Sequence, residues 1–269
     1  MSATTTTSPV NGKTGGRSGG VQSLERAFHI LEAMADSGGI IGLSQLADKV
    51  DLPLATIHRL VRSLVDLGYV RQEANRQYSL GPRLMRLAAE SGKRIGALAK
   101  PLLTEAVEAL DESVNLAILD DDEIVYVAQV QPSRNFMRMF TEVGRRTTPH
   151  STAVGKAILA SSDDVDVVAL LERTGMPRRT EHTLTTAEEF LTVLRATRAR
   201  GFAMDEGEQE VGVRCVAVAV PGAPRPMALS MSGPTTRMDD ATVERGAKVL
   251  REVAAKLAKE LGANDLIIA

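Results

Sequence analysis

The stretch "LSQLADKVDLPLATIHRLVRSLVDLGYV", residues 43–70, has the pattern of two helices separated by a tight break at Asp51–Leu52. Ser44 is expected to cap the shorter helix. Pro53 is expected at the first position of the longer helix, where its missing N–H removes no hydrogen bond, and Gly68 is expected just past its end. The longer helix is predicted to bury the apolar residues Leu54, Ile57, Leu60, Val61, Leu64 and Leu67.

The flanking segments complete a small domain. Before the stretch, "VQSLERAFHILEAMADSG" has apolar residues at positions 24, 27, 28, 31 and 34, which predicts a helix ending at Gly38–Gly39. After it, "YVRQEANRQYSLG" has two β-prone runs around a polar tip, which predicts an antiparallel hairpin. Helix, helix–turn–helix and hairpin in this order predict a winged helix–turn–helix with the longer helix as its recognition element.

The remainder of the chain has a different pattern. Residues 81–113 continue as helix, with a bend or break expected around Gly92, Gly96 and Pro101. Beyond them, β-prone runs neighbour one another and helices lie at either end, which favours an α+β domain with a mainly antiparallel sheet flanked by helices. The strand candidates are "VNLAILD", "EIVYVAQV", "FMRMFTEVG", "GFAMDEG", "RCVAVAVPG" and "MALSMSG".

These patterns predict four segments: a disordered tail at 1–20, a winged domain at 21–81, a linker helix at 82–98 and a second domain at 99–263. The tail is rich in Thr, Ser and Gly and lacks the apolar core of a signal peptide. No run approaches the length of a membrane span. Cys215 is the only cysteine, which excludes a disulfide framework and fits a cytoplasmic location.

Charge is distributed unevenly, although the net charge is only −2. Residues 1–94 carry 12 basic against 8 acidic side chains, and the rest carries 20 against 26. Such asymmetry is a hint of nucleic-acid contact. The residues that the longer helix leaves off its apolar face include Thr56, His58, Arg59 and Arg62, which suit phosphate and base-edge contacts. A solvated helix face remains the alternative.

Several motifs of the second domain can be interpreted either as functional sites or as ordinary structure. "STAVGKA" lacks the residues of a nucleotide-binding loop, but its small residues fit either an anion-binding or an ordinary helix start. Cys215, with His150 or His182 elsewhere in the sequence, is a candidate thiol nucleophile, but it lies in an apolar run and is expected to be buried structure or pocket lining. Ser230 and Ser232 share one strand face. The acidic "DEGEQE" run is expected to be a solvated turn. We therefore predict no catalytic residue, metal or cofactor.

Six segments in this order are similar to the IclR family of bacterial transcriptional regulators, from about Val21 to Leu261. They are "VQSLERAFHILE", "LSQLADKVDLPLATIHRLVRSLVDLGYV", "YSLGPRLMRLA", "PHSTAVGKAILA", "GFAMDEGEQEVGVRCVAVAV" and "ALSMSGP". The resemblance implies a winged helix–turn–helix, a GAF-like effector domain, and dimers or tetramers on operator DNA. It also implies that a small organic acid controls a repressor of a catabolic operon, and the acidic segment favours glyoxylate or a ureide intermediate.

The resemblance also implies site residues. DNA contacts fall on Ser44, Ala55, Thr56, His58, Arg59, Arg62 and Arg76. The effector pocket falls on Phe136, Met139, Ala153, Val154, Asp205, Val213, Cys215, Ser230 and Ser232. The sequence departs from the family pattern at Ala153, often Gly, and at Ala55, often Ser. The competing hypothesis is a small-molecule sensor or enzyme that uses the winged helix only for dimerisation.

Overall fold

The computed structural model describes residues 21–134 and 141–263. Its helices are α1 (Gln22–Asp36), α2 (Leu43–Val50), α3 (Leu54–Asp66), α4 (Arg83–Leu110), α5 (Ala153–Leu159), α6 (Asp164–Thr174), α7 (Ala187–Arg200) and α8 (Asp240–Ala263). Its strands are β1 (Ile40–Ile41), β2 (Val70–Gln72), β3 (Tyr78–Leu80), β4 (Ser113–Asp120), β5 (Glu123–Val130), β6 (Arg146–Thr147), β7 (Ala203–Glu206), β8 (Val213–Ala219) and β9 (Met227–Pro234). The predicted α+β class is confirmed.

The first compact unit ends at Glu90 and contains α1, α2, α3 and the sheet β1–β3–β2. Its core is aliphatic and includes Ile30, Met34, Leu46, Ile57 and Val61, each at most 1% exposed. The wing has three antiparallel strands, because β1 pairs with β3 outside the predicted hairpin. The helix–turn–helix followed by a hairpin is therefore present as predicted, with one additional short strand.

The predicted cap position of Ser44 at α2 and the predicted first helical position of Pro53 at α3 were wrong by two residues and one residue. Gly42, not Ser44, precedes α2, and its N–H donates to Gln45 Oε1 at 3.2 Å, so the glutamine side chain takes the capping role. Pro53 lies just before α3 rather than in it, and its carbonyl accepts from Thr56 and Ile57. Gly68 follows α3 with φ +79°, as expected for a left-handed residue after a helix.

Two burial predictions in this unit were also wrong. Leu54 and Leu67 lie at the ends of α3 and are both 52% exposed, because only the central stripe of Ile57, Val61 and Leu64 packs on the core. In α1 the packed face is centred on Ile30 and Met34. Leu24 and Phe28, both predicted to lie on the apolar stripe, are 57% and 56% exposed. The apolar residues of α1 therefore cover more of its surface than the unit buries.

Helix α4 runs without a break from Arg83 to Leu110, so of the predicted bend or break around Gly92, Gly96 and Pro101 the break was wrong, and the bend stays a prediction. Its C-terminal half buries Ala99, Leu103, Ala106 and Leu110 at spacings of three and four. Burial of this stripe offsets the hydrogen bond that Pro101 removes. The second compact unit begins at Ser91, inside the segment 82–98 that the sequence predicted as a linker. The other predicted domain limits stay predictions.

The second unit is built on a six-stranded antiparallel sheet in the order β6–β5–β4–β9–β8–β7. Alternation along the strands gives the sheet two different faces. On one face Leu229 and Met231 belong to the cluster packed against α8 and the end of α4, while Ala228 on the other belongs to the cluster packed against α5. The neighbours of Ala228 on that second face, Ser230 and Ser232, are buried hydroxyls.

The strand candidate "FMRMFTEVG" lies mostly outside the described residues, and its part from Thr141 to Gly144 is not a strand. The other five candidates in this unit form strands as predicted. Among the helices that the structure describes, none combines the length and apolar character that crossing a membrane requires.

Candidate functional site

A cavity opens between α5, the segment joining β7 to β8, and the polar face of the sheet. It holds about 340 Å³ of empty space including its mouth, but the centre of a water molecule fits in only about 20 Å³ of it. The side chains around it are Tyr126, Thr141, Thr152, Ala153, Val154, Asp205, Gln209, Glu210, Val213, Cys215, Ser230 and Ser232. As folded, the cavity suits a compact ligand with several hydrogen-bonding groups.

Seven of the nine effector residues that the sequence singled out line this one cavity: Ala153, Val154, Asp205, Val213, Cys215, Ser230 and Ser232. The strand register explains why residues so far apart in sequence meet. Asp205 pairs with Cys215 across β7 and β8, and Cys215 pairs with Ser232 across β8 and β9. Phe136 and Met139 lie outside the described residues.

The sequence did not single out five further lining residues: Tyr126, Thr141, Thr152, Gln209 and Glu210. A signal existed for two of them, because Gln209 and Glu210 belong to the acidic "DEGEQE" run. That run was predicted to be a solvated turn, which was wrong. Asp205 and Glu208 are 3% and 7% exposed, and of the four acidic residues Glu206 alone is exposed.

A hydrogen-bond network fixes the polar floor of the cavity. Asn115 on β4 donates from Nδ2 to Ser230 Oγ and Ser232 Oγ, both at 3.3 Å. Gln129 on β5 donates from Nε2 to Asn115 Oδ1 at 2.8 Å and to Thr141 Oγ1 at 3.0 Å. The buried amide of Asn115 thus holds both serines in position, because each serine oxygen accepts a hydrogen bond from it.

The rim of the cavity is a compact turn that leads into α5. A 3₁₀ turn at Pro149–Ser151 precedes Thr152, whose hydroxyl accepts from Gly155 N at 3.1 Å. A Cβ at Gly155 would lie 2.1 Å from the Pro149 carbonyl oxygen, so only glycine permits this approach. Ala153 and Val154, which follow Thr152, form the start of α5, and both line the cavity.

Charged groups lie buried directly behind the rim. Lys156 on α5 is 0% exposed, and its Nζ donates to the Met204 carbonyl at 2.9 Å and to the Glu208 carboxylate. The Glu208 N–H in turn donates to Asp205 Oδ1 at 2.7 Å. These bonds connect α5 to the segment after β7 that carries Gln209 into the cavity. Gln209 Oε1 also accepts from Ser151 Oγ at 2.6 Å, which ties the same segment to the rim.

Burial raises the pKa of Asp205 to about 7, against the opposing effect of the Lys156 ammonium. The folded protein therefore binds this proton more tightly than the unfolded chain does. Below about pH 4 both states carry it. As the pH rises from about 4 to about 7, Asp205 lowers the free energy of unfolding, and above about 7 its effect is constant.

Asp205→Asn is expected to remove this pH dependence, because the amide oxygen of the new side chain still accepts from Glu208 N but the amide does not titrate. Urea unfolding of wild type and variant between pH 5 and pH 8 measures it. The difference in unfolding free energy, variant minus wild type, should rise with pH up to about 7 and then level off. A difference independent of pH would show that Asp205 is ionised across the range.

The buried nucleophile and base candidates do not form a catalytic pair. His150 Nε2 bonds to the Pro177 carbonyl at 3.1 Å, and burial lowers the pKa of the imidazole. Burial raises the pKa of the Cys215 thiol well above its usual value, so the thiolate is disfavoured. His182 is on the surface beside Glu181. Among the residues that the structure describes, no group of His, Cys, Asp or Glu is arranged to hold a metal ion.

The other candidate surface is the outer face of α3, in the first unit. Ala55, His58, Arg59 and Arg62 follow one another along this face and are all exposed, and Thr56 beside them is half-buried. This stripe is opposite Ile57, Val61 and Leu64, which hold the helix on the core. Arg59 and Arg62 form no ion pair within residues 21–134 and 141–263.

Two more predicted DNA residues lie at exposed positions of the same unit. Ser44 is the second residue of α2. Arg76 is at the tip of the wing with φ +64°, in a turn where Asn75 Oδ1 accepts from Gln77 N at 3.1 Å. The side-chain amides of Asn75 and Gln77 also bond to each other at 2.7 Å. The turn therefore holds a basic side chain on a short, internally bonded tip.

Each of the two units matches a known family model. A family model for the "IclR helix-turn-helix domain" matches residues 23–74, and one for the "Bacterial transcriptional regulator IclR C-terminal" matches residues 88–259. This protein belongs to the IclR family of transcriptional regulators. The family resemblance read from the six sequence segments is thereby confirmed, and with it the DNA-binding helix–turn–helix.

IclR-family relatives match along nearly the whole chain. The HTH-type transcriptional regulator KdgR of Escherichia coli K12 is 33% identical over 250 residues, covering 91% of this chain and 94% of the relative. The acetate operon repressor of Salmonella typhimurium is 34% identical over 254 residues, covering 91% and 90%. The crystal structure of an IclR regulator from Alicyclobacillus acidocaldarius aligns with a TM-score of 0.76 at 27% identity, covering 90% and 100%.

Proposed function

We propose that this protein is a repressor of a catabolic operon that reads its operator through α3 and the wing and responds to a small organic acid in the cavity beside α5. The observation that carries the proposal is that the chain has both an exposed arginine stripe in its first unit and a polar, buried cavity in its second. The acetate operon repressor among its relatives supports the regulatory class. The family consists of transcriptional regulators rather than enzymes.

The exposed stripe supports operator binding through the recognition helix. Arg59 and Arg62 are without ion partners in the described part of the chain, so neutralising DNA phosphates would not require breaking existing pairs. A guanidinium also matches the two acceptors of a guanine edge. We assign Thr56, His58 and Ala55 to the same groove, Ser44 to the preceding helix contact, and Arg76 to the backbone beside the wing.

The cavity lining supports a small carboxylic acid as effector. The N–H groups of Ala153 and Val154 are assigned to the carboxylate, and the hydroxyls of Ser230 and Ser232 to its remaining polar groups. Asp205 and Gln209 provide acceptors for N–H or O–H groups, which suits a ureide intermediate, while the small water-accessible space suits a molecule the size of glyoxylate. Phe136, Met139 and Val213 are proposed as its apolar walls, and Cys215 as part of its polar lining.

We further propose that the repressor works as a homodimer or tetramer. Val21, Leu24 and Phe28 on and just before α1 are more than half exposed and spaced three and four apart, which fits a surface covered by another subunit. Two winged domains held at a fixed separation would then read two half-sites of one operator. An effector that binds one arrangement better would shift the population of DNA-competent dimers.

A single titration tests both halves of this function. Full-length protein is mixed with a DNA fragment from upstream of its own gene, and the shift is followed at rising salt with and without glyoxylate, allantoate and related small acids. We expect specific binding at low salt that weakens steeply with salt, and a change of at least about fivefold with the effector. No shift at low salt overturns DNA regulation. A shift that no acid changes overturns the effector assignment alone.

A further inference from the structure

We propose that Tyr126 is a specificity-determining residue that selects acids carrying an oxygen atom in addition to their carboxylate. This inference rests on the proposed effector cavity and deepens it, because it states which chemical feature of the ligand the cavity reads.

Tyr126 is fixed in the cavity wall by the sheet. It lies in the middle of β5, opposite Ala117 of β4, and its backbone N–H and C=O bond to Arg145 and Gly144 on the other side. The residue is 3% exposed and belongs to the apolar cluster of Ala153 and Val154 at the start of α5. The ring therefore has little freedom to move its hydroxyl elsewhere.

The phenol of Tyr126 lines the cavity and has no hydrogen-bond partner among the described residues. Burial, followed by the nearby Cys215 and Asp205, raises the pKa of the phenol, and both of these neighbours line the same cavity. A buried hydroxyl normally has a partner. The neighbouring polar groups of the floor, Asn115 and Gln129, do have theirs.

An unpaired phenol in a small enclosed site discriminates against ligands that cannot form a hydrogen bond with it. A ligand with a hydroxyl or carbonyl oxygen near Tyr126 completes its hydrogen bond, whereas a ligand with a methylene there displaces water and leaves the hydroxyl unpaired. Asp205 lines the same cavity and can bond to the same oxygen when that oxygen is a hydroxyl or when the carboxyl group is protonated. A structural tyrosine would instead bond to protein, and a purely apolar one would need no hydroxyl.

The test is calorimetric titration of full-length wild type and Tyr126→Phe with pairs of acids that differ by one oxygen: glyoxylate and acetate, pyruvate and propionate, lactate and propionate, 4-hydroxybenzoate and benzoate. We expect wild type to prefer the oxygenated member of at least one pair by about tenfold, the factor that corresponds to about 1.4 kcal/mol, a typical net hydrogen bond. Tyr126→Phe should bring that ratio close to one, because the oxygenated acid loses a hydrogen bond and the plain acid no longer leaves a hydroxyl unpaired.

Tyr69→Phe is the matched control, because it removes the same atom from a residue of the first unit that does not line the cavity. The melting temperature gives a second readout: Tyr126→Phe should melt no lower than wild type, since it removes an unpaired group. A preference that survives in Tyr126→Phe, a wild type without preference, or a lower melting temperature overturns the inference and leaves the effector cavity standing. If wild type binds no member of any pair, the effector assignment fails as well, while the operator shift still tests DNA regulation.

Discussion

Replacing Lys156 with methionine is expected to lower the free energy of unfolding by about 3–5 kcal/mol. Methionine fills the space of the lysine stem but cannot neutralise the Glu208 carboxylate, which is 7% exposed and has one oxygen without a partner in the described structure. It also removes the donor to the Met204 carbonyl. A buried carboxylate without its cation must then ionise at a large cost or take up a proton. Urea unfolding at pH 7 measures the change.

The double variant Lys156→Met with Glu208→Gln separates charge from packing. Because it removes both charges, it is expected to be more stable than Lys156→Met alone. Lys248→Met is the matched control: the side chain is exposed on α8, and the change should stay within about 0.5 kcal/mol. A loss in Lys156→Met no larger than in this control would mean that water reaches the pair in the folded protein.

Arg59→Ala combined with Arg62→Ala is expected to weaken operator binding by about 1–3 kcal/mol for each arginine. Both side chains project from α3 on the face away from its buried residues, so the unfolding free energy should change little. Fluorescence anisotropy with labelled operator, measured over a range of salt concentrations, gives the affinity and its salt slope. If an arginine contacts phosphate, the slope falls by about one; if it reads a base, discrimination among operator variants falls instead.

Arg178→Ala combined with Arg245→Ala provides a control with the same loss of charge. Both residues are exposed in the second unit, so a general electrostatic effect would weaken DNA binding equally in the two double variants. Effector affinity should be unchanged in either. Equal operator affinity for the Arg59, Arg62 double variant and wild type would contradict the recognition-helix assignment.

The contrast between α3 and α1 shows when apolar periodicity in the sequence predicts the buried face of a helix. In α3 the apolar and polar residues separate cleanly, so the sequence alone indicated that His58, Arg59 and Arg62 lie outward. In α1 apolar residues cover more than one face. Periodicity did not distinguish the face that packs on α2 and α3, centred on Met34, from the face of Phe28 that stays exposed. A helix with surplus apolar surface needs its neighbours before its buried side is known.

The cavity shows a different limit of prediction from sequence, since some of its residues could not be identified from motifs. The family resemblance supplied Asp205, Cys215 and the two serines, because these residues lie in motifs. Lys156 and Tyr126 were not recovered, although a lysine between apolar residues of "AVGKAIL" is itself unusual. What makes that lysine buried is Glu208, 52 positions later, and what places the phenol in the cavity is the pairing of β5 with β4. Both depend on contacts distant in sequence, which local patterns do not encode.

The close approach at Gly155 restricts how this binding site can diversify. Any side chain there would collide with the backbone of Pro149, so the rim of the cavity has one shape available to it. The strand positions that line the cavity carry no such restriction, since their side chains end at its open space. New ligand preferences, whether by natural drift or by directed evolution, should therefore accumulate at strand positions such as Tyr126 and Cys215 while the rim stays constant. Deep mutational scanning with an operator-linked reporter would reveal that division between a fixed rim and variable strand positions.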